Sequence, residues 1–151
     1  MLQYVHSIFC EDIRQEVGDR YSLMGLLGYE LTVPSPRFIP KLCVAVWVSS
    51  PSTEPYTSVR LRILLNDVAL VDQVVEDGLS IPASRPDSEE SRDTRILSSF
   101  NAVLSPFRID GEGILKVRVS LDGGPELKGG ALRLKIDPGH DALMAPADRG
   151  E

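Results

Sequence analysis

The sequence predicts an all-β, single-domain chain: an antiparallel two-sheet β-sandwich of about eight strands, with a β-barrel as the alternative. Three observations lead there. Short runs of strand-favouring residues with period-two alternation recur along the chain. Clusters of Gly, Pro, Asn and Asp separate them. No segment carries a sustained apolar stripe at helical spacing. A length of 151 residues suits one core. Residues 1–137 form the predicted domain and 138–151 an acidic tail with little apolar periodicity.

The segment Lys41–Ser50 is the longest such run. Leu42, Val44, Val46 and Val48 point one way; Cys43, Ala45 and Trp47 point the other. Both sets are apolar, which predicts a central strand covered on both faces. Leu2–Ile13 reads as the first strand, with Leu2, Tyr4, His6, Ile8 and Cys10 on one side and Val5, Ser7 and Phe9 on the other. Val17-Gly18-Asp19 reads as a hairpin tip. Tyr21–Val33 returns, interrupted by Gly25 and Gly28. A bend near Gly28 would let the chain leave one sheet and join the other. Pro34, Pro36 and Pro40 then enforce an extended connection into the central strand.

Thr57–Asn66 alternates cleanly, Val59, Leu61, Ile63 and Leu65 inward and Ser58, Arg60 and Arg62 outward. Asn66-Asp67 is a tight-turn dipeptide leading into Val68–Glu76. Asp77–Thr94 has no periodicity and reads as a loop of about eighteen residues. Arg95–Phe107 is a strand stopped by Pro106. Ile114–Asp122 is amphipathic, with Leu115, Val117, Val119 and Leu121 inward and Lys116, Arg118 and Ser120 outward. Gly123–Gly130 reads as a hairpin loop, and Ala131–Asp137 closes the fold with Leu132, Leu134 and Ile136 inward.

Composition narrows the chemistry. Charged residues make up 25% and apolar ones 42%, so the chain is globular, and its net charge of −6 opposes non-specific binding to nucleic acid or an anionic membrane. The start MLQYVHSIFC lacks the basic, apolar and small-residue parts of a signal peptide. No window approaches the ~20 apolar residues of a membrane helix. The expectation is a cytoplasmic protein without a membrane. Cys10 and Cys43, the only cysteines, read as buried free thiols. If their strands are adjacent, a disulfide is geometrically open to them.

No catalytic constellation emerges. The two histidines, His6 and His140, sit in no paired motif, and there is no G-x-S-x-G elbow. His6 and Cys10 lie about 13 Å apart along an extended strand, too far to chelate one zinc ion. Asp87, Glu89, Glu90 and Asp93 are the candidate loop carboxylates for a hard cation, but Arg85, Arg92 and Arg95 are interspersed among them. No metal and no cofactor are expected.

The feature left over is basic. Lys116 and Arg118 point outward from one strand, Arg133 and Lys135 from the next, and Arg60 and Arg62 extend the patch if their strand joins the same sheet. Ordinary decoration of a sheet face accounts for such a pattern; so does an acidic partner. No aromatic residues interleave the cations, which argues against single-stranded nucleic acid.

Cys10-Glu11-Asp12-Ile13-Arg14, Ser22-Leu23-Met24-Gly25, Pro40-Lys41-Leu42 and the stretch from Pro106-Phe107 through Gly113 to the closing strand resemble a group of small bacterial and phage proteins known as a domain of unknown function. The resemblance implies a β-sandwich from a bacterium, phage or mobile element, and supplies no activity, ligand or catalytic residue. The functional expectation is a non-enzymatic module that contacts an unidentified protein. The alternatives are a small-ligand or metal-binding sandwich and an unrecognised hydrolase. An uncovered edge strand would also allow a homodimer.

Overall fold

Val44, Val46 and Val48, one side of the central run, are completely buried and belong to a core shared by two sheets. The computed structural model describes residues 2–33, 38–76 and 95–137. Among them the chain is all-β, with eleven strands and no helix: β1 (Tyr4–Glu16), β2 (Arg20–Leu27), β3 (Glu30–Val33), β4 (Phe38–Ile39), β5 (Leu42–Pro51), β6 (Val59–Leu65), β7 (Val68–Val75), β8 (Arg95–Leu104), β9 (Phe107–Arg108), β10 (Gly113–Leu121) and β11 (Glu126–Ile136). They form three sheets, in the orders β2-β1-β5-β8, β3-β11-β10-β6-β7 and β4-β9. These are called the first, second and small sheets below. None closes into a barrel.

Eleven strands replace the eight expected, for local reasons. The bend expected near Gly28 splits one predicted strand: β2 pairs with β1 in the first sheet, and β3 pairs with β11 in the second. The β3–β11 pairing is parallel, so the sheets are not purely antiparallel as expected. Phe38-Ile39 pairs with Phe107-Arg108 to make the small sheet. The closing strand starts at Glu126, well before Ala131, and Gly129 and Gly130 lie inside it rather than in a hairpin loop.

Those two glycines are places where the sheets nearly touch. A Cβ on Gly130 would sit 2.6 Å from Ser7 Oγ, and one on Gly129 would sit 2.9 Å from Val117 Cβ and 3.3 Å from Val5 Cγ1. The Gly130 amide donates to Ser7 Oγ at 2.6 Å. Opposite them the β10–β11 ladder shifts register between Lys116 and Arg118. The glycine pair therefore reads as a site of close backbone approach.

The turns follow the sequence. Asn66 and Asp67 both take positive φ, 48° and 66°, as a two-residue hairpin turn requires. Asp122 and Gly123 do the same, at 48° and 70°, and the Gly124 amide closes that turn on Leu121 O at 2.8 Å. The Asp122 carboxylate accepts the backbone amides of Thr57 and Ser58, at 2.9 and 2.8 Å, and both of their hydroxyls. This ties the β10–β11 turn to the start of β6. Those hydrogen bonds, the Thr57 amide first, hold the Asp122 carboxyl below the usual carboxylate range.

Inside, the Tyr56 hydroxyl and Ser98 Oγ lie 2.5 Å apart and share a hydrogen bond, and burial pushes the phenol pKa up. β1 pairs with β5 only as far as Cys10; Asp12–Glu16 pairs with Arg20–Met24 alone, so a two-stranded ribbon projects beyond the first sheet.

Two outcomes test this architecture. Gly129→Ala should cost about 1–3 kcal/mol in urea unfolding, the usual range for overpacking, because Val117 is fully buried. Asp122→Asn should lower the thermal midpoint near neutral pH. The depressed carboxyl stabilises the fold fully above the unfolded value of about 4 and loses that contribution as pH falls through the folded value. The gap between wild type and Asp122→Asn should therefore narrow as pH drops below ~4, as read by melts across pH.

Candidate interaction surfaces

The two larger sheets present outer faces of opposite character. Each follows from the strand period: when one side enters the core, the alternate residues face away from it.

On the second sheet, Arg60 and Arg62 (β6), Lys116 and Arg118 (β10), and Arg133 and Lys135 (β11) all lie on the face away from the core. The six sequence-predicted cations thus share one face. Most are neutralised there. Arg60 grips Asp72 of β7 with two hydrogen bonds, 2.8 and 2.7 Å, which hold the Asp72 carboxyl below its usual range. Arg62 and Arg118 share Glu126 of β11. Lys116 pairs with Asp67 at 3.0 Å and Lys135 with Glu30 at 2.9 Å. Of the six, Arg133 alone forms no ion pair among the described residues. A cross-strand ladder of this kind spreads its charge locally and is screened within about 8 Å at physiological salt.

The first sheet is different. Four cross-strand rows cover its outer face: Leu26–Cys10–Cys43–Val103, Ile8–Ala45–Asn101, His6–Trp47–Ser99 and Tyr4–Ser49–Leu97. None of these residues is Asp, Glu, Lys or Arg. Leu26 is 63% exposed, Leu97 59%, Val103 54% and Tyr4 53%. Between them Cys10, Cys43, Ala45 and Ser49 are buried. Both cysteines are free thiols, and burial raises the pKa of each. His6 is exposed and its ring lies 6.1 Å from that of Trp47, tilted by 32°.

Charge appears only at the two ends of this face. At one, the Arg95 guanidinium lies 4.6 Å over the Tyr4 ring, donates to Ser49 Oγ at 2.6 Å and reaches Leu2 O at 2.7 Å. At the other, Asp12 accepts from both Lys41 and Arg14, which lowers its carboxyl pKa.

β5 is central in its sheet, and its residues are buried on both sides as the two-sided apolar pattern predicts: Cys43, Ala45 and Ser49 are buried beside the core valines, and Trp47 is half-buried.

The loop carboxylates Asp87, Glu89, Glu90 and Asp93, and His140, lie outside the described residues. Among the described residues no helix is long and apolar enough to cross a membrane. A cavity of about 270 Å³ opens beside the β2–β3 bend, lined by Leu27, Leu31, Phe38, Ile39 and Leu42, with Glu11 and Lys41 as its charged members. Comparison with protein-family models gives no match, and comparison with curated proteins gives none either.

Because Glu126 serves two arginines, Glu126→Gln should be the costliest single change on the charged face. A loss of about 1 kcal/mol in urea unfolding is expected, given the partial exposure of the carboxylate. High salt should shrink the difference from wild type.

Proposed function

We propose that the chain is a non-enzymatic, two-sheet β-sandwich that acts through protein contact, using the outer face of the β2-β1-β5-β8 sheet. The sandwich reading is supported by the single buried cluster that draws Phe9, Val44, Val46 and Val48 from one sheet and Leu61, Ile63, Val117 and Leu132 from the other. The contact reading rests on one observation: a face without Asp, Glu, Lys or Arg exposes Leu26, Leu97, Val103 and Tyr4, with Arg95 at one end and the ion pairs of Asp12 at the other. Monomeric soluble proteins rarely expose such a patch beyond a few hundred Å², and larger ones mark interaction sites. A central aromatic, Trp47, within an apolar surround has the make-up of an interface hot spot.

The cationic face of the other sheet supports an acidic partner less well, since carboxylates of the same chain engage five of the six predicted cations. The two faces can be separated by experiment. Tagged wild type, a Leu97→Arg/Val103→Arg variant and a Lys116/Arg118/Arg133/Lys135 charge reversal would each be used for capture from a lysate containing untagged chain. The apolar-face variant is expected to lose polypeptides that wild type retains, whether foreign or a further copy of the chain. The charge reversal should keep them. Identical captured sets for wild type and the apolar-face variant would overturn the reading.

A further inference from the structure

We propose that Cys10 and Cys43 form a redox switch: a cross-strand dithiol that closes to a disulfide in the folded chain and opens again under reduction. It stands independently of the contact reading above. Three observations carry it.

The first is register. Cys10 on β1 and Cys43 on β5 are direct partners in the antiparallel ladder, on the outer side of the first sheet. Direct antiparallel partners have Cα atoms about 4.5 or 5.5 Å apart, according to their hydrogen bonding. Both spacings fall within the roughly 4.4–6.8 Å that a disulfide spans, so the bond forms without parting the strands. These are the chain's only cysteines, and both are free thiols.

The second is position. The pair is the last rung of the β1–β5 ladder; beyond it β1 pairs with β2 alone. A disulfide here fixes β1 to β5 at the root of the projecting ribbon. Two residues further along each chain direction lie Asp12 and Lys41, whose partly exposed side chains form an ion pair across the end of the ladder. Ladder ends open locally far more readily than sheet centres. The Asp12–Lys41 pair is therefore the clasp that such an opening has to break.

The third is protection. Both cysteines are buried, and Cys43 Sγ donates to Glu11 O at 3.8 Å. Burial first, and then the neighbouring Cys43, raise the Cys10 thiol pKa; burial likewise raises that of Cys43. The thiolate is the reactive form, so the closed ladder keeps the pair reduced and its opening admits the oxidant.

The oxidant is a peroxide. One thiolate attacks a peroxide oxygen, the O–O bond breaks and a sulfenic acid forms. The other thiol attacks that sulfur, the S–S bond forms and water leaves. Two thiols and one hydrogen peroxide give one disulfide and two waters, with two electrons passing from sulfur to oxygen.

Hydrogen peroxide added to the reduced, purified full chain tests this, with thiol titration in denaturant and intact mass as readouts. Wild type is expected to lose both thiols together and two hydrogens in mass, without joining two chains, and to recover both thiols in dithiothreitol. Cys10→Ser and Cys43→Ser should instead gain oxygen. Asp12→Asn and Lys41→Met, which lack the clasp, should oxidise roughly threefold faster or more, and Lys41→Arg should keep the wild-type rate. The disulfide should lower the unfolding constant roughly 30-fold or more. Circular dichroism checks that each variant is folded. Thiols that persist in the folded chain at peroxide levels that oxidise the urea-unfolded chain overturn the proposal. So do cross-linked chains, or an oxidised form that unfolds more readily than the reduced one. Clasp variants that oxidise at the wild-type rate overturn the gating by Asp12 and Lys41.

Discussion

The buried row Val44, Val46 and Val48 is the constraint on which the rest depends. A strand has two faces and period-two geometry links them: once these valines enter the core, Cys43, Ala45 and Trp47 must face away from it. The same row sets its neighbours. Val5, Ser7 and Phe9 pair beside it from β1, and Ser98, Phe100 and Ala102 from β8, so the inner side of the first sheet is assembled in register with β5. Gly129 and Gly130 then let β11 approach β1 closely enough to leave no gap between Ser7 and the second sheet. The outer face is what remains after the core is built.

The two sheets treat their outward positions differently, and charge explains the contrast. On the second sheet, outward cations find carboxylates from adjacent strands, and Glu126 joins two of them. Each exposed pair contributes little, but together they keep that face solvated and locally balanced. On the first sheet the outward positions of the four rows are aromatic, aliphatic, small or, at Asn101, uncharged polar. Leaving them in water forgoes roughly 25 cal/mol per Å² of apolar surface. A surface with that composition gains from being covered, whereas the charged face gains little.

Much of the fold could be read from the alternation of residues. Val59–Leu65 and Gly113–Leu121 show their inward and outward sets without ambiguity, and Asn66-Asp67 announces its turn. The bend at Gly28 was legible because glycine interrupts an apolar run. The parallel partner of β3 was not, since pairing between Leu31 and Leu134 depends on chain ends more than a hundred residues apart. Gly129-Gly130 looked like a loop, because sequence does not separate a glycine needed for a turn from one needed for close approach. The ribbon formed by Asp12–Glu16 and Arg20–Met24 was hidden by its charges, which ended the apolar pattern without ending the ladder. At the surface, the outward direction of six cations was readable. Their neutralisation by Asp72, Glu126, Asp67 and Glu30 was a matter of register, which one strand's pattern does not contain. The two-sided apolarity of β5 was legible and matches its burial on both sides, whereas the exposure of Leu26, Leu97 and Val103 on the flanking strands was not.

The chain carries its own reporter for that face, since Trp47 is the single tryptophan and sits half-buried within it. Trp47 emission and its quenching by acrylamide, followed from dilute to concentrated protein, test the central claim most directly. The account predicts a solvent-accessible indole in dilute solution that shifts to shorter wavelength and becomes protected as the face is occupied. An indole fully protected at every dilution, or one equally accessible at every concentration and in the presence of captured partner, would contradict it.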